Sequence, residues 1–221
     1  MLHPYRPYQT LPNWTAELLA AVCSECRPTD VLLALSRIIR QQDGEVLAHG
    51  QRTGRYATAL GRAAGMSGED LTDLGHAALL HDIGTLTIPR TILHARRPLT
   101  VDEYALVQSH PRAGAELLEP IPFLNVAAVW IAHHHERWDG TGYPYGVRGP
   151  YIPFAARILS VADTFDAVTS GRSGQQTLDG PSALRLLRLL AGSQLDPDLV
   201  EVFVRLDPPL VACEDPPTAH A

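Results

Sequence analysis

The chain has 221 residues, 45% of them hydrophobic and 19% charged, an ordinary balance for one packed domain with a small appendage. A net charge of −6 gives no basic footprint and argues against a nucleic-acid polymer as partner; all 18 basic residues are arginine, so any role that needs a lysine ammonium must be filled otherwise. No apolar run reaches the length of a membrane span, Met1 to Gln9 lacks the apolar core of a signal peptide, and the odd set Cys23, Cys26 and Cys213 fits a reducing cytoplasm.

The hydrophobic periodicity predicts an all-α fold. Residues 1–29 read as a short N-terminal extension or cap, 30–206 as the functional domain, and 207–221, with four prolines, as a mobile tail. Asp30 is placed to cap a helix through about Gln41, with Val31, Leu32, Leu35, Ile38 and Ile39 on one face. A second helix is expected from Asp43 to Ala64, ended by Gly65. Ser67 opens a third that carries His76 to Asp82 and stops at Gly84. Thr85 to Pro98 reads as loop with a turn near Pro89 to Leu93. Thr100 and Glu103 form a capping box for a helix to about His110, and Pro111 starts the next, through Leu118. Phe123 to Glu136 reads as an apolar helix, Trp138 to Pro153 as a long Gly/Pro-rich loop, and Phe154 to Thr169 as helix again. Pro181 and Pro197 begin two closing helices, for about seven to nine in all.

Imidazoles and carboxylates stand where apolar neighbours make them costly unless something satisfies them. His81-Asp82 follows Ala77-Ala78-Leu79-Leu80, and Asp163 ends Ile158-Leu159-Ser160-Val161-Ala162. His133-His134-His135 closes an apolar helix, a composition typical of metal sites, although three consecutive histidines do not share one face. Glu45 and His49 are four apart on one helical face, and His110 sits at a helix boundary. Each signal is modest alone. Together, Glu45, His49, His81, Asp82, His110, His134, His135 and Asp163 exceed the needs of one ion and suggest two or three that share bridging carboxylates. In that layout Asp82 is the candidate bridge. The mixed N/O donors suit Fe, Mn, Zn or Ni.

With His81-Asp82-Ile83-Gly84 and Gly142-Tyr143-Pro144 both present, residues Leu32 to Leu206 resemble the HD-GYP family of the HD phosphohydrolase superfamily. Ser109-His110-Pro111 with Gly114 supports the resemblance. So do His134-His135-Glu136-Arg137-Trp138-Asp139-Gly140-Thr141 running into the Gly142 motif, and Ala162-Asp163-Thr164-Phe165-Asp166-Ala167. It implies an HD-domain helical bundle and hydrolysis of the bacterial second messenger cyclic di-GMP to linear pGpG and/or GMP. It also implies two or three divalent metal ions, Fe or Mn above others. The eight donors fall on the family's ligand positions, Glu45 favouring a trinuclear site, while His133 falls outside them. The implied nucleophile is a metal-bridging hydroxide, with Asp82 and His81 as the catalytic residues and Asp82 orienting the nucleophile. Thr85, Gly142, Tyr143, Pro144, Arg148 and Arg172 are the candidate substrate contacts. The Gly142–Pro144 loop is also implied to meet a signalling protein partner.

The chain departs from the family at three places. Thr85 stands where the family usually has a phosphate-binding lysine. Arg172-Ser173-Gly174-Gln175 replaces a segment with a second basic residue, and Arg96 or Arg97 fills a basic position before Leu99-Thr100. Each lost phosphate contact is worth roughly 1.5–3 kcal/mol, or about one to two powers of ten, so low activity is expected unless Arg148 or Arg172 compensates. The competing readings are a catalytically weak or inactive cyclic-dinucleotide-binding signalling module and a phosphohydrolase for another nucleotide. Elsewhere, Trp138 reads as a packing anchor and His76 as structural. The stripe Leu186-Leu187-Leu189-Leu190 reads as core first and a homodimer face second.

Overall fold

In the computed structural model, which describes residues 27–171 and 177–206, Pro28 opens α1 (Pro28–Gln42) at a position where its missing N–H costs no hydrogen bond. The cap expected at Asp30 lies three residues earlier, at Arg27. Asp30 sits inside the first turn, where its carboxylate meets the positive end of the helix and pairs with Arg27 at 3.0 Å. Asp43 breaks the chain between α1 and α2 (Gly44–Ala63); it is extended, and its side chain accepts the Glu45 N–H. Ser67 precedes α3 (Gly68–Leu80) without making a side-chain cap bond.

α3 ends two residues short of the expected Asp82. His81 is its last, half-in residue, and Asp82 leads into a 3-10 turn, Ile83–Thr87. Gly84 does not end the helix through its own conformation. It lies inside that turn, where a Cβ would collide with the His110 carbonyl and stand 2.6 Å from the Gly114 nitrogen. The glycine lets this turn rest directly on α6 (His110–Leu118). The turn expected near Pro89 is α4 (Arg90–Leu93), and α5 (Val101–Val107) carries the expected Thr100–Glu103 capping box. α5 stops before His110, which opens α6 with Pro111 beside it. The apolar stretch expected over 123–136 forms only α7 (Asn125–Ala132). Imidazole Nδ1 atoms of His133 and His134 bond the Val129 and Ile131 carbonyls at 2.8 and 2.7 Å, taking helix-end acceptors and letting the chain turn. α8 (Phe154–Ser170), α9 (Gly180–Leu190) and α10 (Pro197–Arg205) follow, the last two capped by Asp179 and Asp196. Among the described residues there are nine helices of seven residues or more and one single turn, as the all-α reading expects.

α2 packs against both α3 and α8. Tyr56 of α2, Phe165 of α8 and Phe203 of α10 meet edge to face, with ring centroids 5.0 Å apart for Tyr56–Phe165 and 5.1 Å for Phe165–Phe203. Burying side chains of that size contributes roughly 1.5–3 kcal/mol each. The leucine stripe of α9 divides: Leu187 is core, whereas Leu189 is 80% exposed. The long loop is pinned from outside, by Trp138 N–H to the Gln194 carbonyl at 3.1 Å and Asp139 N–H to Ser193 at 2.8 Å. The guanidinium of Arg157 lies over the Trp138 ring, in keeping with an anchoring role. Arg172 and Gln175, the N-terminal extension up to residue 26, and the tail lie outside the described residues.

Candidate metal centre

Six elements deliver seven of the eight expected donors to one place. α2 supplies His49, the end of α3 supplies His81, and the turn after it supplies Asp82. His110 opens α6, His134 and His135 follow α7, and Asp163 comes from α8. They form two groups, Asp82–His110–His134–His135 and His49–His81–Asp163, with ligand atoms in each within 4.8 Å of one another. Glu45 stands apart. It is exposed on the first turn of α2 and belongs to neither group. His133 is turned away, its ring tilted against Tyr145.

Asp82 joins the two groups. Its Oδ1 lies 3.3 Å from His110 Nε2; its Oδ2 lies 3.4 Å from His81 Nε2 and 3.9 Å from His49 Nε2. Asp163 Oδ1 lies 2.9 Å from His49 Nε2 and 3.7 Å from His81 Nε2.

The ring nitrogens show whether a cation suits this place. His81, His110 and His134 each turn Nδ1 to a backbone carbonyl, of Ala78, Val107 and Ile131, at 2.8, 2.8 and 2.7 Å. A carbonyl only accepts, so Nδ1 carries a proton, and each ring in its neutral form presents a bare lone pair at Nε2. These lone pairs face one another: His110 Nε2 is 3.3 Å from His134 Nε2, and His49 Nε2 is 3.1 Å from His81 Nε2. Carboxylate oxygens complete the ring of acceptors. Converging lone pairs with no apolar filler fit divalent cations. Burial, helped by the neighbouring His135, His81 and His110, holds His134 well below its ordinary value and therefore neutral. Burial likewise lowers His135 to about 4. Burial opposes the ionisation of Asp163, but the His49 and His81 rings beside it outweigh burial and hold the carboxyl well below its ordinary value.

Two residues that the sequence reading did not place in the site support it. Asp166 is buried and accepts from His49 Nδ1 at 2.6 Å, and Arg52 clamps the same carboxylate at 2.7 and 3.0 Å. That pair fixes the tautomer and aim of His49. The signal was a second acid three residues after Asp163, on the same helical face. Glu136 is also buried, and its Oε1 accepts the N–H groups of Tyr145 and Gly146 at 2.7 and 3.2 Å, tying the long loop to the histidine turn.

The expected substrate contacts fall unevenly around the donors. Gly142 packs so closely on the histidine turn that a Cβ would sit 2.6 Å from the His135 carbonyl. Tyr143 donates its N–H to that carbonyl at 3.2 Å and lays its ring against His135, centroids 5.0 Å apart. Pro144 is half-buried beside it. Thr85 is buried and borders a cavity, but its hydroxyl donates back to the Asp82 carbonyl at 2.7 Å. Arg148 is exposed and lies against Gly140, at the outer part of the loop. Arg97 is engaged by Glu103 through two bonds of 2.7 and 2.6 Å.

The sequence matches the HD domain family over residues 34–199. The chain belongs to that family. The HD domain here is 38% identical over 183 residues to a cyclic di-GMP phosphodiesterase response regulator of Xanthomonas campestris pv. campestris, covering 82% of this chain and 48% of the relative. It is 35% identical over 180 residues to a cyclic di-GMP phosphodiesterase of Thermotoga maritima, covering 80% and 49%. Against 3′3′-cGAMP-specific phosphodiesterase 2 of Vibrio cholerae it is 32% identical over 177 residues, covering 79% and 34%. The chain thus spans about half the length of the first two relatives and a third of the last. These similarities agree with the HD-GYP resemblance drawn from the two motifs. The HD fold recurs in the crystal structure of a cyclic GMP-AMP specific phosphodiesterase from V. cholerae, with a TM-score of 0.62, 22% identity, and coverage of 86% of this chain and 54% of that one. It recurs in an HDG"Y"P protein from Bdellovibrio bacteriovorus, with a TM-score of 0.60, 20% identity, and coverage of 87% and 60%.

Proposed function

We propose that this HD domain is a divalent-metal-dependent phosphodiesterase that opens cyclic di-GMP to linear pGpG and cleaves further to GMP. The carrying observation is Asp82, one carboxylate whose two oxygens face two separate histidine groups. Asp82, His110, His134 and His135 would hold one ion, and His49, His81 and Asp163 a second. A third would draw on Glu45, one helical turn before His49. Histidine and carboxylate donors without a thiolate suit Fe or Mn. Bound cations of this kind supply Lewis acidity toward phosphate oxygens and a water acidic enough to act as nucleophile at neutral pH.

The remaining work falls to the chain. Asp82 is the acceptor placed to orient the attacking water and take its proton. The buried His134 and half-buried His135 keep their lone pairs free at neutral pH, since desolvation holds both below the ordinary imidazole range. Asp166 and Arg52 hold His49 in its tautomer. Hydrolysis adds OH to phosphorus and breaks its bond to the 3′ oxygen, which leaves with a proton. The product keeps its phosphate on the 5′ side. Tyr143, held over His135, is the proposed wall against which the substrate lies.

A second reading, 3′3′-cGAMP as substrate, is favoured by the similarity to the V. cholerae enzyme and changes a base without changing the reacting bond. Turnover measured with Fe(II) and with Mn(II) across cyclic di-GMP, 3′3′-cGAMP and linear dinucleotides tests both. Cleavage of cyclic di-GMP is the expected result. Tight binding with no turnover, or cleavage of unrelated nucleotides alone, contradicts the proposal.

A further inference from the structure

A cavity opens at Thr85, three residues after Asp82. It has two adjoining parts, and Asp43, Thr85 and His94 border both. Glu45 lines one part, a single turn of α2 from His49; Arg90, on α4, lines the other. The charges around it are unevenly used. Asp43 Oδ1 accepts the Glu45 N–H at 3.0 Å, and Oδ2 lies 3.6 Å from His94 Nε2. Thr85 spends its hydroxyl on the Asp82 carbonyl. The Arg90 guanidinium is exposed at the rim, and among the described residues no hydrogen bond or ion pair engages it.

A cyclic dinucleotide carries two phosphodiesters, and only one is cut at a time. The other keeps a full negative charge, and its recognition needs a cation. An arginine fork matches phosphate oxygens in pairs and is less strongly hydrated than an ammonium, so it gives up water readily at a half-open rim. We infer that Arg90 binds the uncut phosphodiester of a cyclic dinucleotide, from the position it shares on this cavity with Thr85, which is hydrogen-bonded to the Asp82 carbonyl. This rests on the proposed function, and it makes Arg90 a binding residue for two-phosphate substrates. The cationic charge missing at Thr85 is supplied five residues further along the chain.

The test uses the full chain loaded anaerobically with Fe(II) or Mn(II), as wild type, R90A and R90K. Loss of a charged hydrogen bond predicts that R90A raises KM for cyclic di-GMP about ten- to a hundredfold with kcat changed less than about threefold. R90K, which restores charge without the fork, falls between the two. Bis(p-nitrophenyl) phosphate has one phosphodiester, so its kcat/KM should fall less than about threefold. Arg90 is exposed, and metal content together with melting temperature verifies that R90A folds. An R90A with wild-type KM, or one that loses both substrates equally while keeping its metal, overturns the inference and leaves the proposed function standing. Metal-loaded wild type that neither binds nor cleaves any cyclic dinucleotide removes both.

Discussion

At the scale of single residues, the site depends on how each imidazole is held. Four of the five donor histidines were legible because they stand in apolar or helix-ending contexts, where an unsatisfied polar ring is costly; His49 was drawn from its spacing to Glu45 and from the family resemblance. What holds the rings was not legible. Backbone carbonyls of Ala78, Val107 and Ile131 set three tautomers, and a carbonyl leaves no mark on the residue that bears it. Asp166 was visible only as one more acid on α8. Its contact with His49 needs α2 and α8 to be placed side by side. Asp166→Asn is therefore expected to weaken metal binding about 10- to 100-fold, read by competition with a chelator of known affinity. An unchanged affinity would show that the His49–Asp166 bond is only structural. Asp82→Ala removes the shared carboxylate and should reduce metal content per chain with loss of turnover. Full metal occupancy in that variant would refute the bridging role.

Among the elements, helix identity followed periodicity well, and errors collected at helix ends that meet the site. α3 and α7 both stop short of the sequence pattern because histidine side chains take the final carbonyls and the chain must turn toward the donors. Local propensity does not contain that demand. The Thr100–Glu103 capping box was legible because its four residues are contiguous. The added clamp from Arg97 was not singled out. Hydrogen bonds from Arg97, then from the Thr100 N–H, lower Glu103 to about 2 from an ordinary 4.5. A carboxylate depressed in the folded state stabilises fully above 4.5, and that contribution is lost as pH falls from 4.5 through 2. Arg97→Ala should return the Glu103 titration toward the ordinary range, seen in the carboxyl carbon shift by NMR; an unmoved midpoint would discount the ion pair. In the long loop, Gly142→Ala places a methyl against the Glu136 Cα and the His135 carbonyl. The expected cost is about 1–3 kcal/mol of stability, measured by denaturant unfolding, with His135 displaced and metal retention reduced. A variant with wild-type stability and metal content would mean that the loop moves aside without disturbing the site.

For the whole molecule, chain-distant donors meet only because the bundle closes around them. The clustered donors span His49 to Asp163 in sequence, and none of the six contributing elements builds the site alone. The Tyr56–Phe165–Phe203 cluster holds α2, α8 and α10 together, and Phe165 is the chain neighbour of Asp166. Fold and donor set were thus readable from motifs, while the division of the donors into two groups sharing Asp82, and the separation of Glu45 from both, required the assembled structure. No described helix is long and apolar enough to cross a membrane. Because unfolded chain cannot present the assembled donors, saturating metal should raise the melting temperature. Free metal at a hundred times Kd is worth about 2.7 kcal/mol, or roughly 5–10 °C for a domain of this size. The most direct measurement is the metal content of protein purified without oxygen, then chelated and reconstituted with Fe(II) or Mn(II). Two or more ions per chain, with cyclic di-GMP cleavage lost on chelation and regained on reconstitution, are the expected result; a folded protein that takes up no metal after reconstitution would contradict it.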